Sequence, residues 1–290
     1  MINRPQRIAH RGDGKTAPEN TFDSVKAAVE FGCEGVEIDV RLTKDHKIVL
    51  MHDEEILRMI CNGNCSGESR KLRQMDWSDV SELLIPYENH LLPDFPKEGY
   101  QFEQILFERV NKRMLGQDLN FPYRKSKKFT NPVLLEEIIL WLQKTHPNIF
   151  LEVECKDHGM APFLDDLLKR THSYNQVILM SGDPSVIEEH YEYFKVKNPL
   201  QPVRTGANIR TLDNHWKRKL VDMDFYEVGL NVEHISEDTV NYLHQKGVKV
   251  FSNLGDYPIW WEKMHTLQID GFKTNYIRDY TYWMENQDNL

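Results

Sequence analysis

A chain of 290 residues, 40% of them hydrophobic, can bury one barrel-sized core or two smaller ones and is too apolar to stay disordered. Its 45 acidic and 36 basic residues leave a formal net charge of −9, which argues against a nucleic-acid-binding surface. Met1-Ile2-Asn3-Arg4-Pro5 lacks the apolar core of a secretion signal, and no apolar stretch is long enough to span a bilayer, so the sequence reads as soluble and cytoplasmic.

Arg7-Ile8-Ala9-His10 reads as a first strand. Asn20 or Thr21 then caps a helix whose Phe22, Val25 and Val29 share one face, and Gly32 ends it. Gly35 to Asp39 follows as a second strand. Because strand side chains alternate, Glu37 and Asp39 point one way while Val36, Ile38 and Val40 point to an apolar layer. Two adjacent carboxylates in a low-dielectric site take up a proton unless a hard divalent cation lets both stay ionised; the alternative is a partly solvated acidic strand end.

Arg41 to Lys47 is turn-rich and too short for a helical crossover, so the run Ile48 to Met51, closing on His52-Asp53, reads as the return strand of a hairpin. From about Cys61 to Thr130 the βα rhythm is lost; Pro86, Pro93, Pro96, Pro122 and the basic run Arg124 to Lys128 suggest an inserted lobe. Cys61 and Cys65 form a close pair there that the cytosol would keep as thiols and that export would favour as a local disulfide, and no second pair or nearby histidine completes a zinc site.

Regular structure resumes with Asn131-Pro132, read as a cap followed by proline at the first helical position, and with Leu135, Ile138, Ile139 and Leu142 as the buried stripe. Strands are expected at Ile149 to Glu154, Val177 to Met180, Val203 to Ala207, Tyr226 to Leu230, Val248 to Ser252 and Gly271 to Thr274, with helices between them. Asp183-Pro184 and Ser236, the latter with Ile235 and Val240 as a staple, start two of those helices. About eight strands then alternate with helices, which predicts one (β/α)8 barrel over residues 1–290, with 41–130 inserted after the second strand. An open doubly wound sheet is the competitor, but no glycine-rich phosphate loop follows any strand.

Reactive groups of such barrels collect at the C-terminal ends of the strands. There the first strand carries His10 and Arg11, the second Glu37 and Asp39, and the third Glu152, Glu154 and Lys156. Glu154, nearer the strand end, is the better third ligand for a cation. Lys156 continues on the same face, to hold an anion or neutralise the carboxylates. His52 gains interest only when paired with His10.

The series His10-Arg11-Gly12, Pro18-Glu19-Asn20-Thr21, Glu37-x-Asp39, Leu42-Thr43-Lys44-Asp45, His52-Asp53 and Glu154-x-Lys156 resembles the motifs of the glycerophosphodiester phosphodiesterases. The resemblance covers the first 53 residues and resumes over 131–156. It implies a barrel with an inserted lobe, metal ligands at Glu37, Asp39 and Glu154, catalytic histidines at His10 and His52, phosphate contacts from Arg11 and Lys156, and a hydrogen-bonding role for Asn20. It also implies one divalent cation, Mg2+ or Ca2+, and a small glycerophosphodiester substrate cleaved to glycerol phosphate and an alcohol. Phe251 and Thr274-Asn275 depart from the tryptophan and the Thr-Asp that family members often carry. Two alternatives stand beside this reading: a phospholipase D-like enzyme acting on lysophospholipids, and a catalytically silent barrel that binds phosphodiesters. Tyr87, Tyr100, Phe121, Tyr123 and Arg124 of the insertion are expected at the substrate entrance.

Overall fold

The computed structural model describes residues 4–62, 69–92, 94, 125–197 and 203–287. Eight parallel strands close on themselves: β1 (Gln6–His10), β2 (Gly35–Leu42), β6 (Phe150–Cys155), β7 (Val177–Met180), β8 (Arg204–Asn208), β9 (Glu227–Leu230), β10 (Lys249–Leu254) and β11 (Gly271–Thr274). The seam is β1, which pairs with both β2 and β11 in parallel. A ninth strand, β3 (Ile48–Leu50), runs antiparallel to β2 as the expected hairpin. Two short strands, β4 (Ile85–Pro86) and β5 (Phe129–Thr130), pair outside the barrel.

Parallel strands buried on both faces need no polar outer side, and β7 shows this in Val177, Ile178, Leu179 and Met180, none more than 1% exposed. The helices cover the barrel through apolar stripes. In the helix Leu135–Thr145 that stripe is Leu135, Ile138, Ile139 and Leu142, all fully buried. Burial of one such side chain is worth about 1.5–3 kcal/mol before the entropy of ordering it. Capping follows local chemistry: Thr21 accepts from the Ser24 amide to start α1 (Phe22–Phe31), Gly32 ends it at φ 103°, and Asp183 and Ser236 cap later helices as expected.

Two expectations are corrected. The helix after the insertion begins at Leu135, not beside Pro132, with Leu134 at its N-cap. The Asn131 amide is spent on the carbonyls of Ser81 and Leu83, and the Val133 carbonyl accepts from the Leu50 amide, so this stretch lies as extended chain against the hairpin. Tyr87 is no entrance residue: it is 5% exposed, with its hydroxyl on Asp23 of α1. Tyr100, Phe121, Tyr123, Arg124 and Cys65 lie outside the described residues, as do 63–68, 93 and 95–124 of the expected insertion as a whole. Cys33 and Cys155 are buried free thiols. Among the described residues no helix is long and apolar enough to cross a membrane.

The interior of such a barrel is ordinarily filled by layers of branched aliphatic side chains. Here Glu37, Glu152, Glu227 and Lys273, from β2, β6, β9 and β11, are each at most 2% exposed. Charge has been carried deep beneath the catalytic end.

Candidate active site

Strand register assembles the centre. Glu37 pairs with Glu152 and Asp39 with Glu154 across β2 and β6, so the four carboxylates stack in two layers on the inner face. Oxygen atoms of Glu37, Asp39 and Glu154 lie within 4.8 Å of one another. Asp39 is not at its strand end, since β2 continues to Leu42 and carries the hairpin. There the Met51 amide donates to the Asp39 carbonyl, which sets His52 just beyond the cluster.

The three carboxylates differ in their partners. Asp39 is met by Arg11 Nε at 2.9 Å, by Lys156 Nζ at 2.9 Å and by the Asn20 amide at 2.9 Å, while the Asn20 carbonyl oxygen accepts the Asp39 amide at 3.0 Å. Burial alone would raise its pKa; Arg11, then Lys156, hold it well below the usual carboxylate range. Glu154 accepts from Lys156 at 2.5 Å and from Asn208 Nδ2 at 2.8 Å, and Lys156 outweighs burial to keep its pKa low. Among the described residues the Glu37 side chain meets only the Arg11 amide at 3.2 Å and His10 Nε2 at 3.8 Å. Its Oε1 is buried without a hydrogen-bond partner, and burial, then the neighbouring Asp39, push its pKa well above the usual range. A buried carboxylate oxygen with no donor, in an all-oxygen trio, suits a hard divalent cation.

His10 ends β1 and turns into Arg11 (φ 58°) and Gly12 (φ 86°), both left-handed. A side chain on Gly12 would start 2.5 Å from the Ser24 backbone, so glycine is required where the chain doubles back over α1. His10 Nδ1 lies 2.7 Å from Asn275 Oδ1. That amide is oriented by Asp256, whose carboxylate accepts from the Asn275 side chain at 2.7 Å, from its backbone N–H at 2.8 Å and from the Thr274 hydroxyl at 2.8 Å. With its NH2 group committed to Asp256, Asn275 can only accept from His10 Nδ1–H. The Nε2 lone pair is thereby turned toward Glu37. Burial, followed by the Arg11 charge, lowers the His10 pKa to about 3, so the ring is neutral.

His52 Nδ1 lies 2.7 Å from Asp53 Oδ1. Arg58 binds Asp53 through Nε at 2.5 Å and Glu19 through Nη2 at 2.7 Å, and Glu19 in turn receives Arg11 Nη1 at 2.9 Å. The ion-pair chain Asp53–Arg58–Glu19–Arg11–Asp39 thus ties the residue after His52 to the carboxylate cluster. Arg58→Met should cost about 3 kcal/mol, because it removes the cation shared by buried Glu19 and half-buried Asp53. Glu19 is held far below its usual pKa, Arg58 and Arg11 overcoming its burial, so this stability is present above about pH 4 and lost as pH falls. Urea unfolding across pH checks it: the deficit of the variant should shrink in acid, and a pH-independent deficit would contradict the network.

His10, Arg11, Glu37, Asp39, His52, Glu154 and Lys156 therefore gather at this corner, whereas Glu152 turns away to Lys273 Nζ at 2.5 Å. Arg11 and Lys156 are engaged with carboxylates. Phe251 packs lower in the barrel, its ring 6.3 Å from that of Phe150. Asn208, Asp256, Arg58 and Lys273 escaped notice. Only Lys273 left a trace, as a charge between Phe272 and Thr274 in a strand with no exposed position.

Comparisons with known proteins agree with this geometry. The chain is 55% identical over 51 residues to a glycerophosphodiester phosphodiesterase of Caldanaerobacter subterraneus subsp. tengcongensis, covering 18% of this chain and 21% of that protein. It is 35% identical over 96 residues to glycerophosphodiester phosphodiesterase 1 of Homo sapiens, covering 33% and 27%. The chain thus aligns with well under two thirds of the length of these curated relatives. Two solved structures share the fold along nearly all of it. A glycerophosphodiester phosphodiesterase from Parabacteroides distasonis has a TM-score of 0.70 at 17% identity, over 99% of this chain and 100% of its own. An Oleispira antarctica phosphodiesterase, solved with the product sn-glycerol-3-phosphate, has a TM-score of 0.70 at 19% identity, over 97% of both chains. The model of one family matches residues 10–279, from the first histidine to beyond the last barrel strand, and the chain belongs to the glycerophosphoryl diester phosphodiesterase family.

Proposed function

We propose that the chain hydrolyses glycerophosphodiesters to glycerol phosphate and an alcohol, with one divalent cation, Mg2+ or Ca2+, held by Glu37, Asp39 and Glu154. The observation that carries this reading is the carboxylate trio, Glu37 and Asp39 buried and Glu154 half-buried, with His10 Nε2 3.8 Å from Glu37 and the Met51 amide, next to His52, on the Asp39 carbonyl. The cation would neutralise a phosphate oxygen and acidify the attacking hydroxyl. Lys156, 19% exposed at its side chain, and the remaining N–H groups of Arg11 bind the phosphate oxygens and offset the charge that grows on them.

His10, neutral and with Nε2 free, takes the proton of the attacking hydroxyl, which is water or the neighbouring glycerol hydroxyl. His52, whose Nδ1 is held by the Asp53 carboxylate, protonates the departing alcohol oxygen. A neutral amide behind one histidine and a carboxylate behind the other support this division of labour.

Phosphorus NMR of glycerophosphocholine turnover tests the bond cleaved. Glycerol phosphate and free choline are expected. Phosphocholine and glycerol would place the scissile bond on the other side of phosphorus, and lysophosphatidylcholine consumed in preference would favour the phospholipase D-like alternative.

A further inference from the structure

Beneath the carboxylate cluster lies a second set of charges that this mechanism does not use. Lys273, the third residue of β11, is level with Ile8 of β1, which is itself level with Gly35 of β2, one pleat below Glu37. Its side chain crosses the barrel interior to reach Glu152 Oε1 on β6 at 2.5 Å, and Glu152 is the register partner of Glu37. The ammonium is thus held in the Glu37 layer. Asp39 and Glu154 have Lys156 from above, and Asp39 has Arg11 as well, whereas Glu37 is in no ion pair with a lysine or arginine among the described residues. Lys273 is the cation on its inner side. Burial, then the Glu152 charge, push the pKa of neighbouring Glu227 well above the usual range, which favours its neutral form.

An ion pair in this place is no aid to stability in itself. Two apolar side chains of similar size would fill the space as well, without the cost of removing two charges from water. What only the pair supplies is a field at the ligands above it, unscreened by salt because no solvent separates them. We propose that Lys273 and Glu152 act as a buried charge pair that sets the affinity of the Glu37–Asp39–Glu154 centre for its divalent cation. This inference rests on the cation-binding reading above. Neither residue touches the reacting atoms, so both are positioning residues. Lys273 opposes the incoming cation, which keeps its binding exchangeable, and Glu152 offsets that opposition and fixes where the ammonium sits.

The sign of the effect makes this testable. Mg2+ binding to the full chain would be measured by titration calorimetry for wild type, Lys273→Met, Glu152→Gln and the double variant, with circular dichroism to confirm the fold. Lys273→Met should bind Mg2+ about tenfold or more tightly, Glu152→Gln about tenfold or more weakly, and the double variant within about threefold of wild type. A packing role would shift both single variants the same way, and that result, or no shift, overturns the proposal. Should Lys273→Met fail to fold, the comparison of Glu152→Gln with the double variant still decides, because the double must bind more tightly. No Mg2+ binding by the wild-type chain would overturn the cation site itself, an outcome distinct from wild-type binding with unopposed shifts.

Discussion

Glu37→Gln or Asp39→Asn should lower turnover of a glycerophosphodiester by about 10³-fold or more, since a bound cation supplies several kcal/mol of charge stabilisation. The two variants should differ in stability. Glu37 is the carboxyl that burial and Asp39 force toward the neutral form, so an amide in its place removes a repulsion and should leave the unfolding midpoint unchanged or raised. Asp39 is the hub of Arg11, Lys156 and Asn20, and Asp39→Asn leaves buried Arg11 and half-buried Lys156 each short of a partner. It should lower stability by about 3–5 kcal/mol. Activity assays beside urea unfolding separate the cases. A Glu37→Gln protein that keeps wild-type turnover would remove Glu37 from the centre.

Loss of either histidine should be nearly as severe, about 10²–10⁴-fold for His10→Ala or His52→Ala. The double variant should lose little more than the worse single one, because the two groups act on one proton itinerary and their effects do not add. Cation binding should survive in all three. If His52 donates its proton, Asp53→Asn, which withdraws the carboxylate that orients its ring at 2.7 Å, should lower kcat toward that of His52→Ala. Asn275→Asp places a charge behind His10 and should change the acid side of the pH–rate profile. A His52→Ala enzyme with near-normal rate, or an Asp53→Asn enzyme with wild-type kcat, would leave the proposed division of roles without support.

Much of this architecture was legible because it is periodic. Val177 to Met180 and Gly271 to Thr274 are strands at the expected bounds, and the stripe from Leu135 to Leu142 is a helix face. The cluster was legible for a related reason: Glu37-x-Asp39 and Glu154-x-Lys156 follow the two-residue repeat of inward side chains, and a barrel gathers its inward positions on one axis. Asn131-Pro132 misled because a local signal was overruled by distant partners, the carbonyls of Ser81 and Leu83. Likewise, nothing in sequence links Lys273 to Glu152, 121 residues away, or Asp256 to the orientation of the Asn275 amide. Those contacts depend on closure of the barrel, which brings β11 round to β1, and pattern along the chain does not encode them.

If hydrolysis depends on a cation held by Glu37, Asp39 and Glu154, removing that cation should abolish it. Protein dialysed extensively against a strong chelator would be offered glycerophosphocholine, first without added metal and then with Mg2+ or Ca2+ in excess of the chelator. No turnover is expected in the first case and restoration in the second, with no restoration in Glu37→Gln. Full turnover by the chelated protein would rule out a cation-dependent reaction.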